Sequence, residues 1–313
     1  MRNDGRAPIL VTGAPRTSTT FVGQILSIPR DVSLIYEPLN HQIGMRAVPR
    51  QFLYVNKGSF YEGVAAAMTE ELLAGRAKFK RPEVIGTTPS RSTALLRKVL
   101  TSRTAMDYRL ASLNPLRSQW LIKDPMAAFA TEWLHQRYGA KVVVTLRHPA
   151  GAVASYLRLG WRFHLSVLSH QNELMQDHLA ELLGGHNPDT LTPVQEGALL
   201  WSAVYRVLGT YMDRNPEIVA VRHEDVSSDP IGQFESLYDH LGLTFSSGVR
   251  RQIEAVTGAQ NPTDPKANQV HTLRRNSQAA VGLWRKHLDA EQLHTIRELT
   301  EPYAQRWYSD ADW

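Results

Sequence analysis

The 313-residue sequence predicts an α/β fold in which a central parallel sheet is flanked by helices. Three observations carry this. Pro8-Ile9-Leu10-Val11, a short run of β-formers, gives way to a hydroxyl-rich turn and then to apolar residues at Phe21, Val22, Ile25 and Leu26, which is helical spacing. Lys141-Val142-Val143-Val144-Thr145-Leu146 is too continuously apolar for a sheet edge and reads as a central parallel strand. Strand and helix patterns alternate along the chain, the rhythm of βα units rather than of hairpins.

In chain order, the first helix runs from Thr19 to Leu26. Asp31 to Ile35 reads as a short strand, followed by Tyr36-Glu37-Pro38-Leu39-Asn40, where the proline is expected to keep Glu37 extended. Residues 41–118 show less order, with helices at Tyr61 to Leu73 and Ser92 to Leu100 and a short strand at Val84-Ile85-Gly86. This stretch is expected to be an acceptor-binding lid or insertion within a single domain spanning residues 1–313. Its Arg46, Arg50 and Lys57, with Arg103, suit an anionic acceptor or simply a solvated surface.

Trp120 to Lys123 reads as a buried strand ending in Asp124-Pro125, followed by a helix with Phe129, Trp133 and Leu134 on one face. After the central strand and Arg147-His148-Pro149, a helix begins at Ala150. Leu159 to Leu183 and Val194 to Met212 read as long helices, the second with a core stripe of Trp201, Tyr205, Leu208 and Met212. Glu217 to Val221 is the last strand, and Glu224 and Asp225 after it suit a helix start. Ala290 to Trp307 is a closing helix with Leu293, Ile296, Leu299 and Tyr303 inward.

Composition narrows the function. Apolar residues make up 42% of the chain, enough for a full core, and the net charge of +5 is scattered rather than gathered into a tract. That scatter and the lack of an RNA- or DNA-binding motif leave no nucleic-acid partner expected. There is no run of 18 apolar residues and no signal-peptide pattern at Met1 to Pro8, so a soluble, cytoplasmic protein without a stable membrane anchor is expected. With no cysteine, disulfides, thiolate zinc sites and a cysteine nucleophile are excluded. No H-E-x-x-H or Asp/His cluster argues for a metal.

Ligands of parallel sheets bind off the carboxyl ends of the strands. Gly13 to Thr20, Glu37, Lys123-Asp124 and Arg147 all fall at predicted strand ends. The turn from Gly13 to Thr20 aims backbone N–H groups and a helix N-terminus at one point, a geometry suited to phosphate. Arg16 adds a cation, and Thr17, Ser18, Thr19 and Thr20 add donors. The ATP-type pattern G-x-x-x-x-G-K-[ST] fails here: counted from Gly13, Ser18 stands at its second glycine and Thr19 at its lysine. Gly13 also stands alone, so the dinucleotide pattern G-x-G-x-x-G fails.

The string Pro15-Arg16-Thr17-Ser18-Thr19-Thr20 instead resembles the loop P-[KR]-S-G-T-T of sulfotransferases that use 3'-phosphoadenosine 5'-phosphosulfate (PAPS), with Ser18 in place of the usual glycine. The segment Val142 to Tyr156 resembles the 3'-phosphate motif of the same enzymes, a strand followed by R-x-P-x-x-x-x-x-S, which places Arg147 and Ser155 on the phosphate. A guanidinium forks onto two phosphate oxygens while a hydroxyl takes a third. Glu37, 21 residues after Arg16, stands where sulfotransferases acting on tyrosine and heparan-type glycans carry a catalytic glutamate base. The strand followed by Arg222-His223-Glu224-Asp225, then Asp229-Pro230 and Leu241-Gly242-Leu243, is also similar to the family pattern, as is Trp284 after a basic stretch.

The resemblance implies a bacterial-type sulfotransferase with a three-layer P-loop-like fold, PAPS as co-substrate, 3'-phosphoadenosine 5'-phosphate (PAP) as product and no metal. It assigns catalysis to Glu37, Arg16 and Lys123. Cofactor binding falls to Gly13, Pro15, Arg16, Thr17, Ser18, Thr19, Thr20, Arg147, Ser155, Arg274, Arg275 and Ser277. Asp124, His41 and His148 are reserve bases. The acceptor implied is a hydroxyl of a carbohydrate, glycolipid or small metabolite, and a homodimer stays open. Two other classes remain at this level. A P-loop small-molecule kinase needs a lysine where Thr19 stands and a magnesium carboxylate. A non-enzymatic nucleotide- or nucleic-acid-binding protein would use the positive charge alone.

Overall fold

Three aliphatic residues in succession set the first strand, β1 (Ile9–Thr12), and each of its faces is buried. The computed structural model describes residues 6–80, 103–258 and 281–313. Helix α1 (Thr19–Leu26) returns the chain to β2 (Val32–Tyr36). Helix α2 (Glu62–Leu73) and helix α3 (Arg103–Ser112) precede β3 (Gln119–Lys123). A 3-10 turn (Pro125–Ala130) and α4 (Thr131–Tyr138) lead to β4 (Lys141–Leu146), and α5 (Pro149–Arg158) follows. After an irregular stretch come α6 (Pro193–Arg214), β5 (Val219–Arg222), α7 (His223–Ser228), α8 (Pro230–Leu241), α9 (Ser247–Thr257) and α10 (Ala290–Ala304).

Among the described residues the five strands form one sheet in the order β2-β3-β1-β4-β5, with every neighbouring pair parallel. β4 is interior, as its unbroken apolar run requires. Side chains alternate across the sheet. Leu10, Ile122, Val142 and Val144 enter a core with Trp201, Tyr205 and Leu208 of α6 and Ile296 of α10. Ile9, Val11, Leu121 and Val143 enter a second core with Val22, Ile25 and Leu26 of α1 and Phe234, Leu237 and Leu241 of α8. The result is helix, sheet, helix in three layers. The ends of α6 and α10 are set by capping boxes, Thr192 with Gln195 and Asp289 with Gln292.

Three expectations are corrected. The helix expected after Asp124 is split, because Asp124 caps a 3-10 turn before α4 begins. The long helix over Leu159 to Leu183 does not form. Gly160, with φ +62°, turns the chain away after α5, and only short helical pieces follow between Ser166 and Leu183. Glu37 is not extended but left-handed, with φ +44°. Its N–H donates to the Lys123 carbonyl at 2.8 Å, which holds it there against the local preference.

Within 41–80, Met45, Val48, Phe52, Leu53 and Leu72 are buried in the same core as β1 and α6. The strand read at Val84-Ile85-Gly86, the helix at Ser92 to Leu100, and Arg274, Arg275 and Ser277 lie outside the described residues.

Candidate functional site

β1 ends where Gly13 takes φ +145°, and a Cβ there would stand 2.3 Å from the Thr145 carbonyl oxygen. Only glycine lets the chain turn this close to β4. The turn then uses left-handed backbone at Arg16 (φ +65°) and Ser18 (φ +78°). Such conformations cost on the order of 1–3 kcal/mol each and persist only where the surroundings enforce them. The family's usual glycine thus falls at a position whose backbone suits glycine, and Ser18 occupies it with its Oγ hydrogen-bonded to His223 Nδ1 at 2.8 Å.

The rest of the turn is held from behind. Tyr156 OH donates to the Pro15 carbonyl at 2.6 Å. Tyr205 OH donates to the Thr145 carbonyl at 2.6 Å and accepts from Ala14 N at 3.3 Å. Thr17, expected to face a phosphate, is buried; its Oγ1 donates to the Ala14 carbonyl at 2.7 Å. The turn opens directly into the N-terminus of α1, where backbone N–H groups favour an anion.

At the end of β4, Trp201 Nε1 donates to the Arg147 carbonyl at 3.0 Å and fixes where that residue leaves the sheet. Burial lowers the Arg147 guanidinium's pKa, and the charge of Glu224 opposes this. Among the described residues the Arg147 guanidinium has no ion pair, and it makes a single long hydrogen bond, from Nη1 to the Arg16 carbonyl at 3.5 Å. Ser155 accepts from Arg16 Nε at 3.2 Å and so braces Arg16. The Arg16 guanidinium also lies over the Trp161 ring, 5.7 Å from its centroid.

At the ends of β2 and β3 sits a charged cluster. Sheet register places Tyr36 opposite Lys123. Lys123 Nζ is 2.5 Å from Glu37 Oε1 and 3.7 Å from the centroid of the Tyr36 ring. Asn40 Nδ2 donates to Glu37 Oε2 at 2.7 Å, so the carboxylate is clamped on both oxygens. Lys123, which the resemblance assigned to catalysis, is fully buried and does not line the cavity. Burial pushes its ammonium below the ordinary lysine range, while Glu37 and Asp124 pull it back.

Two of the reserve bases, Asp124 and His148, do not line the cavity. Asp124 is buried and accepts from Leu39 N at 2.6 Å and Met126 N at 2.9 Å; burial and the Glu37 charge push its carboxyl up to about 7. His148 lies stacked on Trp284 with Trp313 and Tyr308 against it, and burial pushes its imidazole down to about 3. His148 N donates to Glu224, which also accepts from Tyr308 OH, so Glu224 is a structural residue as its position suggests. His41, the third, is exposed at the cavity rim.

These strand ends surround a cavity of about 790 Å³. Pro15, Arg16, Ser18, Thr19, Thr20, Glu37 and Arg147 of the expected set line it; Gly13, Thr17, Lys123 and Ser155 stand behind it. Sequence reasoning missed His223 and the run Gly160 to Leu165 with Val167 and Leu168. Glu196 holds that segment: it accepts a fork from Arg162, Nε to Oε2 at 2.7 Å and Nη2 to Oε1 at 2.9 Å, and also Phe163 N at 3.1 Å. For His223, the available signal was its place at the end of β5, level with the other strand ends.

A model described as the sulfotransferase family matches residues 8–247. No curated protein matches the chain in sequence. Among solved structures, the chain is similar to the sulfotransferase domain from the curacin biosynthetic pathway, at 14% identity over 96% of this chain and 98% of that one, with a TM-score of 0.46. It is also similar to sulfotransferase STF9 from Mycobacterium avium, at 15% identity over 98% and 78%, TM-score 0.46. A third is mouse sulfotransferase SULT7A1 complexed with PAP, at 14% identity over 100% and 88%, TM-score 0.43. Likeness that distant leaves the family assignment resting on the family model.

Proposed function

The chain belongs to the sulfotransferase family, and from that premise we propose that it transfers a sulfuryl group from PAPS to a hydroxyl of a carbohydrate, glycolipid or small-metabolite acceptor. The observation that carries the reading is one cavity faced by two anion-binding features and one clamped carboxylate. The β1–α1 turn with Arg16 and the half-buried Arg147 supply the first, and Glu37 the second. The family match sets aside the kinase and nucleic-acid alternatives.

The residues fit such a ligand. The Gly13 turn and the left-handed Arg16 and Ser18 present backbone donors at the head of α1. Arg147, with no ion pair among the described residues, is the natural partner of a 3'-phosphate. Arg16, Ser18, Thr19 and Thr20 suit the 5'-phosphate. When bound, PAPS supplies a sulfuryl group whose sulfur exchanges its bond to the 5'-phosphate oxygen for one to the acceptor oxygen, that phosphate oxygen keeping the electron pair in PAP.

Glu37 takes the acceptor's hydroxyl proton. Lys123 and Asn40 each engage one of its oxygens and thereby orient the carboxylate, leaving lone pairs directed at the cavity for the proton. Arg16, braced by Ser155, offsets negative charge growing at the leaving side. Lys123 is a positioning residue in this scheme, acting through Glu37.

A thermal-shift titration with PAP, adenosine 5'-phosphate and ATP with magnesium tests the reading. PAP is expected to stabilise the protein most, and Arg147→Ala to remove most of that gain. Equal stabilisation by ATP with magnesium, or no effect of Arg147→Ala, would overturn it.

A further inference from the structure

We propose that Tyr308 is a positioning residue for the cofactor: by holding the Glu224 carboxylate it leaves Arg147 without an ion pair and so open to a 3'-phosphate. This rests on the sulfuryl-transfer reading of the cavity and gives a residue outside the cavity a part in its specificity. Tyr308 also lies beyond residues 8–247, the span that the family model matches.

The carboxylate stands next to the arginine. Glu224 Oε1 accepts from the backbone N of His148, the residue after Arg147, at 3.0 Å. Its charge acts on the Arg147 guanidinium, raising a pKa that burial lowers. A guanidinium beside a carboxylate ordinarily forks onto it. Among the described residues neither Arg147 nor Glu224 is in an ion pair. Glu224 Oε2 instead accepts from Tyr308 OH at 3.0 Å. Two donors, one on each oxygen, fix how the carboxylate is turned. Arg222, the cation on the same ring, is engaged elsewhere. Its guanidinium lies 4.8 Å from the Tyr308 centroid, Nη1 donates to the Trp307 carbonyl at 2.8 Å, and it pairs with Asp225 at 3.4 Å and Asp312 at 3.8 Å.

Tyr308 is held in place for this task. It is 4% exposed, and its N donates to the Ala304 carbonyl at the end of α10 at 2.9 Å. The His148 ring meets it edge-on at 5.0 Å and is itself held by Trp284 at 5.0 Å and Trp313 at 4.4 Å. A Cβ at Gly151 would stand 3.0 Å from Arg147 Nε and 3.4 Å from Trp284 Cδ1, so the arginine and this aromatic cluster share one face of α5. Without the Tyr308 hydroxyl, Glu224 Oε2 loses its donor, which is costly away from water. Arg147 is a cation that already feels the Glu224 charge, and an ion pair between them competes directly with a 3'-phosphate.

The test is calorimetric titration of PAP and of adenosine 5'-phosphate into the native chain, Tyr308→Phe, Glu224→Gln and the double variant. Tyr308→Phe keeps the ring and removes one hydroxyl. Its PAP affinity is expected to fall about tenfold, the worth of one charge-assisted bond, with adenosine 5'-phosphate affinity unchanged. Glu224→Gln alone is expected to keep the ratio of the two affinities at or above the native value, and the double variant to recover that value. An unchanged ratio in Tyr308→Phe, a fall in both affinities together, a ratio lowered by Glu224→Gln alone, or a loss that the double variant does not restore would overturn this inference alone. Equal affinity of the native chain for the two nucleotides would overturn the PAPS reading of the cavity and the inference with it.

Discussion

Lys123 Nζ and Glu37 Oε1 meet at 2.5 Å across the carboxyl ends of β3 and β2, with the lysine side chain 1% exposed and the glutamate 17%. Sheet register makes the pair: Tyr36 faces Lys123, and Glu37 follows it in a left-handed conformation that points its carboxylate back over the lysine. The lysine is spent on the glutamate, and the glutamate is the side of the pair that reaches the cavity.

Glu37→Gln keeps the side chain's size but can accept from only one of Lys123 and Asn40, and it removes the proton acceptor. We expect kcat for sulfuryl transfer to fall by about 10²–10⁴-fold, with PAP affinity unchanged in a binding titration. Loss of PAP binding in this variant would place Glu37 in the cofactor site instead.

Lys123→Met leaves Glu37 beside a buried apolar group. Breaking one side of a buried pair costs about 3–5 kcal/mol, readable in urea unfolding. The double variant with Glu37→Gln is expected to recover part of that loss. Strict additivity would show that the two residues do not act as a pair.

Gly13→Ala is expected to prevent folding or to cost upwards of about 4 kcal/mol. The added Cβ would sit 2.3 Å from the Thr145 carbonyl and 2.8 Å from Thr145 Oγ1, on backbone at φ +145°. Soluble expression with an unchanged melting temperature would contradict this geometry.

Asp124 and His148 act on stability with opposite sign. Asp124 rises from 3.8 to about 7 on folding, so between those values the folded state holds the extra proton and stability falls as pH rises. His148 drops from 6.5 to about 3, so in that window the unfolded state holds the extra proton and stability rises with pH. Each contributes a slope of at most about 1.4 kcal/mol per pH unit. Melting temperatures from pH 4.5 to 6.5 are expected to climb more steeply with pH in Asp124→Asn and less steeply in His148→Phe; parallel curves would contradict both assignments.

The sheet was legible because its interior strands β1, β3 and β4 are buried on both faces and so read as apolar runs. The strand ends were legible for the same reason, which brought Arg16, Glu37 and Arg147 to one edge before any coordinates. What was not legible depends on long-range bonds. The segment from Trp161 to Leu168 carries apolar residues at spacings a helix would use, but the left-handed Gly160 turns it away and the bonds of Arg162 and Phe163 to Glu196, 34 and 33 residues on, tie it along the cavity. The resemblance assigns Lys123 a catalytic place beside Glu37, but nothing in the sequence shows that its register with Tyr36 pairs it with that glutamate. The bond between Ser155 and Arg16 spans 139 residues and had no signal in the sequence. The left-handed turn at Glu37 opposes the local preference before proline and is imposed by the Lys123 carbonyl.

Calorimetric titration of PAP against adenosine 5'-phosphate, in the native chain and in Arg147→Ala, measures directly whether this cavity reads a 3'-phosphate. Charge-assisted bonds of about 1.5–3 kcal/mol each predict that PAP binds at least about 100-fold tighter than adenosine 5'-phosphate, and that Arg147→Ala removes most of this ratio. Equal affinity for the two nucleotides in the native chain, or a ratio that Arg147→Ala leaves intact, would contradict the assignment of the cavity to PAPS.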